Sequence, residues 1–385
     1  MQVQAPQIAD VMSDVRRALS IKYNTMVYEL QRSGERVVVL SLGEAFFDIP
    51  LYPMDDLPVN SINHYSHSRG LPDLRSRLSD YFATQYDAGF DPEREIVITA
   101  GSKIAIYMAL LAVLNRGDEV VFQEPAWVSY SEQVRMCGAV PAGIPYDAEL
   151  REYPRYLTPR TRVLVINNPH NPRGYVYTRD ELVELLRLAR DRNLWLFSDE
   201  AYSDFAQPGA FISIGALDRE KRNSVIFNSM SKNYGISGWR VGYAIGNASI
   251  VDEILKINEH LVTCPATILE YYLARHFTDL LDITKPQISA LLGKREQLAA
   301  YMDKIGLSRL RGDATFYFFV SIAPSKLTSE QFCTRLLQED RVSVVPGIGY
   351  GQSCDAFVRV SIGTASLNDV MLGLQKIRAL IEKTS

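Results

Sequence analysis

The chain has 385 residues, 47% hydrophobic and 22% charged, with a formal net charge of −4. This length and apolar content suffice for a large buried core and leave room for two domains, while the near-balanced charge, without runs of one sign, argues against nucleic-acid or membrane-surface partners. No apolar stretch approaches the ~18 residues of a membrane span.

The N-terminus lacks a charged head followed by an apolar block, so no secretory signal is expected and the protein is placed in the cytoplasm. Apolar periodicity predicts a helix over Ile8–Leu19 and a second over Tyr23–Arg32, ended by Ser33-Gly34. A short strand, Val37–Leu42, runs into the loop SLGEAFFDIP (41–50). Gly70 and Pro72 then precede a helix with Leu71, Leu74, Leu78 and Tyr81 on one face.

From Glu95 strands and helices alternate. Strands are expected at Ile96–Thr99, Val120–Gln123, Val140–Ile144, Arg162–Ile166, Trp195–Asp199 and Ser224–Phe227. Between them lie helices up to Leu114, over Val128–Met136 and over Arg179–Arg192. This alternation predicts an α/β fold, a mostly parallel sheet with helices on both faces, whose ligands bind beyond the carboxyl ends of the strands. After Gly246 come helices over 249–262, 265–277 and 280–304, with Pro286 as an entry break to the last. A smaller α/β part follows: strands Thr315–Ser321, Val342–Val345 and Phe357–Ile362, and helices Ser329–Gln338 and Leu367–Lys383. The expected division is an N-terminal arm (1–45) packing on a small C-terminal domain (281–385), and a large domain over 46–280.

The four cysteines, Cys137, Cys264, Cys333 and Cys354, lack metal-ligand spacing and read as reduced thiols. His64, His67 and His170 have no carboxylate or cysteine at ligand spacing, so no metal site is expected.

The stretch NSMSKNYGISGWRVGYAIG (228–246) sets Lys232 behind Ser229 and Ser231, in a loop between two apolar runs. A lysine held this way can form an imine with an aldehyde if its pKa is lowered enough to leave free amine. The stretch resembles the lysine motif S-x-S-K-x-x-G-x-x-G-x-R-x-G of the class I and II pyridoxal-phosphate aminotransferases (fold type I), met by Ser229, Ser231, Lys232, Gly235, Gly238, Arg240 and Gly242. That resemblance implies a PLP transferase sheet of the seven-stranded type, pyridoxal 5'-phosphate as cofactor, and 46–280 as the domain that binds it. It also implies a homodimer.

Other motifs resemble the same family in the same order. Gly101-Ser102-Lys103 opens a helix after a strand, a position suited to a phosphate dianion. The resemblance assigns phosphate contacts to Gly101, Ser102, Lys103, Ser229 and Arg240, with Tyr65 entering from the partner subunit. Lys103 departs from the family's usual neutral or acidic residue. Asp199-Glu200-Ala201-Tyr202 resembles D-E-x-Y, which implies that Asp199 pairs with the ring nitrogen and Tyr202 with the ring hydroxyl oxygen. Asn168-Pro169-His170-Asn171-Pro172-Arg173-Gly174 resembles N-x-x-N-P-x-G, giving Asn171 that oxygen too and placing Asn168 near the substrate carboxylate. Trp127 stands where the family stacks an aromatic on the ring.

Arg359, in Phe357-Val358-Arg359-Val360-Ser361, matches the family's arginine for the α-carboxylate, a group its guanidinium fork fits. Gly43 would donate its N–H to the same carboxylate. The loop at 41–50 departs from the family at Ala45 and Phe46. PGIGYGQ (346–352) resembles a flexible loop beside the arginine, and Phe46, Phe47, Tyr65 and Tyr350 suggest aromatic side chains near the entrance.

The implied activity is amino transfer between an L-amino acid and a 2-oxo acid through a Lys232 Schiff base, by a ping-pong mechanism. The alternative keeps the cofactor but ends in elimination, replacement or a capreomycidine-synthase-like cyclisation of a modified amino acid.

Overall fold

A computed structural model of the chain describes residues 6–385. Its strands, in chain order, are β1 (Val38–Val39), β2 (Ile96–Thr99), β3 (Glu119–Gln123), β4 (Val140–Ile144), β5 (Thr161–Asn167) and β6 (Trp195–Asp199). They continue with β7 (Ser224–Ser229), β8 (Gly242–Gly246), β9 (Tyr317–Ser321), β10 (Val342–Ser343), β11 (Val345–Pro346) and β12 (Phe357–Ser361).

Seven strands form one sheet in the order β2-β8-β7-β6-β5-β3-β4. Its neighbours pair in parallel except at β8, which is antiparallel to both β2 and β7. The fold is thus the expected mostly parallel α/β sheet with helices on both faces. Alternation along each strand separates two cores. Ile96, Ile98, Leu164, Ile166 and Ile226 face one layer, which contains Leu74, Leu185 and Leu273 of helices Pro72–Tyr86, Arg179–Asp191 and Thr267–Arg275. Val97, Val163, Val165, Val225 and Phe227 face the other, with Ala109, Val134 and Ile254 of helices Ser102–Val113, Ser129–Met136 and Ala248–Leu261.

A third core gathers residues from Ile288 to Ile381 with Tyr23, Val27 and Leu40 from the N-terminal segment and Ala201, Tyr202 and Phe205 from the segment after β6. A three-stranded antiparallel sheet, β11-β12-β9, lies in the C-terminal part, and β1 pairs in parallel with β10.

Several expected elements differ. Helix over Ile8–Leu19 is reduced to one turn, Val11–Asp14, and the next helix starts early, at Leu19. The first segment finds no core to cover, since the turn buries none of its residues. Pro286 does not open a helix but lies inside one of 28 residues, Phe277–Lys304. The missing N–H leaves the carbonyl of Asp282 free, and both Pro286 and Asp282 are exposed, so water can satisfy that carbonyl. The expected strand Val342–Val345 is split, because Val342–Ser343 pairs with β1 whereas Val345–Pro346 pairs with β12. The segment PGIGYGQ forms a 3-10 turn, Gly347–Tyr350, with Tyr350 buried, and a second such turn, Gln352–Cys354, begins at its last residue.

Candidate active site

The carboxyl ends of β3, β5, β6 and β7 converge on a cavity of about 630 Å³ that also reaches β12. Its lining includes Gly43, Ser102, Lys103, Trp127, Asn171, Asp199, Tyr202, Ser229, Lys232, Arg240 and Arg359, so the residues singled out from scattered motifs meet in one space.

Lys232 leaves a one-turn helix, Met230–Asn233, that starts where β7 ends. Ser229 caps that turn, its Oγ accepting from the Ser231 N–H at 3.1 Å. The Lys232 Nζ donates to the Gly43 carbonyl at 2.5 Å. Burial pulls its pKa down to about 8; the Glu44 carboxylate opposes the shift, and Arg359 and Arg240 reinforce it. A tenth or so of such an amine is free at pH 7, as an imine-forming lysine requires.

Asp199 ends β6 and is 7% exposed. Its Oδ2 accepts from the Tyr130 hydroxyl at 2.6 Å and its Oδ1 from the Ala201 N–H at 3.2 Å. Burial pushes its carboxyl up to about 6, against the lowering effect of these bonds and of Lys232. Such a carboxylate stabilises a cation placed against it. Tyr202, one turn further on, exchanges a hydrogen bond with Tyr317 at 2.9 Å and accepts from Asn171 Nδ2 at 3.4 Å. The Oδ1 of Asn171 is buried without a partner among the described residues.

At the opposite end, Gly101 adopts φ +90°, and a Cβ there would collide with the Arg240 guanidinium. The positive φ is what requires glycine there, and the missing side chain also lets the guanidinium come close. Gly242 makes the same allowance for the Ser102 backbone. Arg240 itself holds a left-handed conformation, φ 57°, and donates to Ser231 Oγ at 3.3 Å and to the Ser237 carbonyl at 2.8 Å. The free N–H groups opening the twelve-residue helix Ser102–Val113, the hydroxyl of Ser229 and this guanidinium form an anion cradle. Lys103 lies with Nζ 5.2 Å from the centre of the Trp127 ring, and burial and then Arg240 lower its pKa.

Arg359 projects from β12 and is 4% exposed. Among the described residues no carboxylate neutralises it: Nη2 donates to the Ser41 carbonyl at 2.8 Å, and the guanidinium lies 4.6 Å from the Tyr317 ring centre and 5.5 Å from that of Tyr350. Its Nε has no partner among the described residues. A buried cation left open on one side is a receptor for a carboxylate.

Asn168 and Tyr350 depart from expectation. Asn168 is turned away from the cavity, donating to the Ile212 carbonyl at 3.1 Å and accepting from the Tyr177 N–H at 3.2 Å. Asn167, which the strand's alternation turns the other way, lines the cavity and accepts from the Asn171 N–H at 2.6 Å. Tyr350 is buried behind Arg359 and is no entrance residue. Gly43 presents its carbonyl to Lys232. Tyr65 is 84% exposed and outside the cavity lining.

Tyr130 and Tyr317 were not singled out from the sequence. Tyr130 lies three residues after Trp127, which precedes helix Ser129–Met136, and the two rings meet edge to face with centres 5.2 Å apart, a contact that helical periodicity does not signal. Tyr317 carried no signal either, because its role depends on a pairing across two parts of the chain.

The residues fit pyridoxal phosphate by their own geometry, with an anion cradle at one end, a buried carboxyl at the other, a flat aromatic beside them and an amine within the same cavity. The family model described as Aminotransferase class I and II matches residues 56–373. An aspartate aminotransferase of Bacillus sp. (strain YM-2) is 31% identical over 371 residues, covering 92% of this chain and 94% of that protein. Aromatic-amino-acid aminotransferase 2 of Thermococcus litoralis is 29% identical, covering 91% and 94%. Among solved structures, the Thermus thermophilus aspartate aminotransferase with maleate superposes with a TM-score of 0.89 at 27% identity, covering 98% of this chain and 100% of that one.

Proposed function

The chain belongs to the class I and II aminotransferases, and from that premise we propose how its own residues divide the work. It is a pyridoxal-phosphate-dependent transferase that moves an amino group between an amino acid and a 2-oxo acid in two alternating half-reactions. The bound cofactor supplies an aldehyde carbon that receives the amino group and a ring that draws electrons from the substrate.

Arg359 binds the α-carboxylate of an L-amino acid or 2-oxo acid and so fixes the substrate against the cavity wall. Lys232, with Nζ reaching into the cavity, would hold the cofactor through its aldehyde, and its amine is the group that would take the Cα proton and return it. Asp199 keeps a proton on the ring nitrogen, and the Tyr130 hydroxyl orients that carboxylate. Asn171 and Tyr202 donate at the ring oxygen. Trp127 covers one ring face and excludes water. Gly101, Ser102, Lys103, Ser229 and Arg240 hold the phosphate. The observation that carries this assignment is the meeting of a buried amine, a buried carboxyl and an unneutralised buried guanidinium in one cavity.

We also place Tyr65 in the phosphate site of a second copy. Its ring is exposed, yet its loop is pinned by bonds from Ser66 Oγ to Glu270 (2.7 Å), Thr267 Oγ1 to the His64 carbonyl (2.8 Å) and Asn258 to the Ser68 carbonyl (2.9 Å). The domain division, with the change of core inside helix Phe277–Lys304, is proposed at residues 45/46 and 280/281. Among the described residues no helix is long and apolar enough to cross a membrane, and all four cysteines are free thiols, which suits a cytoplasmic location.

The test is a panel of amino acids assayed singly with 2-oxoglutarate. Glutamate should form with at least one donor, and borohydride should trap the cofactor on Lys232. Release of ammonia or a cyclic product without glutamate from every donor would overturn the proposal.

A further inference from the structure

The peptide Glu124-Pro125-Ala126-Trp127 carries the aromatic wall of the cavity at the end of β3. Its first residue points the other way. The Glu124 side chain is 7% exposed and meets the turn that precedes β12. Its Oε1 accepts from the Gln352 N–H at 3.0 Å; its Oε2 accepts from the Ser353 N–H at 2.8 Å and the Ser353 hydroxyl at 2.6 Å. Two residues on, the Ala126 N–H donates to the Tyr350 carbonyl at 2.7 Å.

The seat is shaped for a carboxylate. A Cβ at Gly143 or at Gly351 would collide with Glu124, so two glycines, one from each side of the seam, leave it room. The turn it grips bears Tyr350, whose ring packs against Phe319 at 5.6 Å and stands 5.5 Å from the Arg359 guanidinium. The turn begins at β11, which pairs Val345 directly with Arg359.

We propose that Glu124 is a positioning residue, a carboxylate splint that fixes the turn 347–354 and thereby sets the position of Arg359 relative to Trp127. The inference rests on Arg359 being the carboxylate site. Glu124 touches neither substrate nor cofactor. Its effect is on how far the carboxylate receptor lies from the ring wall, hence on substrate binding rather than on the proton transfer.

Three donors converge on two carboxylate oxygens. An amide in their place turns an N–H group against an N–H or O–H group and loses the charge assistance. Glu124→Gln, tested as the cofactor-loaded enzyme, should raise KM for 2-oxoglutarate about tenfold with kcat within about twofold of wild type. Hydrogen exchange in the peptide 347–354 should quicken at least about tenfold, and the cofactor absorbance should be unchanged. Ser353→Ala, which removes one donor and is the milder change, should move KM and exchange in the same direction by less.

Unchanged exchange in 347–354, or unchanged KM with a lowered melting temperature alone, would overturn the splint. Should Glu124→Gln not fold, the Ser353→Ala result decides by the same criteria. If instead Arg359→Lys leaves KM as in wild type, the assignment of Arg359 fails, which the exchange measurement distinguishes from failure of the splint.

Discussion

Replacing Asp199 by Asn separates the cost of the site to the fold from its value to the reaction. Asp199 is buried, accepts from Tyr130 and Ala201, and has its carboxyl pushed up from 3.8 to about 6. The folded chain without cofactor therefore holds this proton more tightly than the unfolded chain. The carboxyl costs nothing below about pH 4, costs more as pH rises, and reaches its full cost above about pH 6. At ~1.4 kcal/mol per pKa unit, the full cost is about 3 kcal/mol. Asn never ionises and keeps an oxygen for the Tyr130 hydroxyl, giving up only the longer, 3.2 Å bond from the Ala201 N–H. Cofactor-free Asp199→Asn should melt about 3–4 °C above cofactor-free wild type at pH 8, the gain shrinking to nothing near pH 4. Paired scanning calorimetry from pH 4 to 8 measures this. With cofactor the order of merit reverses, because a neutral amide cannot hold the ring proton, and kcat should fall at least about 100-fold, some 2.7 kcal/mol. A variant less stable than wild type at pH 8, or one keeping a tenth of the activity, would refute the reasoning.

Lys232 in the cofactor-free protein should label with acetic anhydride along a curve centred near pH 8, where burial has placed its amine. At pH 7 it should react from a free-amine pool roughly 300 times that of an ordinary lysine, and a midpoint above pH 10 would contradict the assignment. Arg359→Lys replaces a fork by a single point of charge between Ser41 and Tyr317, and should raise KM for both substrates about 100-fold in steady-state assays. Inactive Tyr65→Ala and Lys232→Ala proteins, unfolded and refolded together, should recover about a quarter of wild-type activity if Tyr65 serves the neighbouring subunit. No recovery would place it in its own.

Much of the fold was legible because its signals are local. Strand and helix alternation from Glu95 to Gly246, the glycine turn at Gly101 and the Lys232 motif each carry their signal within short stretches. Their order along the chain also indicated the family and its cofactor. Where local signal was ambiguous, long-range pairing settled the outcome. Val342–Val345 reads as one strand, but its two halves find partners in different sheets, β1 and β12. The helix through Pro286 persists because its freed carbonyl faces water.

By itself the sequence determined which residue types were available for imine, carboxylate and phosphate chemistry, since motif spacing follows from the turns that present them. Only the tertiary structure decided what each one meets. Asn167 rather than Asn168 faces the cavity, Tyr130 holds Asp199, Tyr317 joins Tyr202 to Arg359, and Glu124 ties the end of β3 to the turn before β12. The side-chain pairs among these contacts lie 42 to 229 positions apart. Their geometry depends on strand pairing and on how the sheet's cores meet the C-terminal one, which no local pattern of residues encodes.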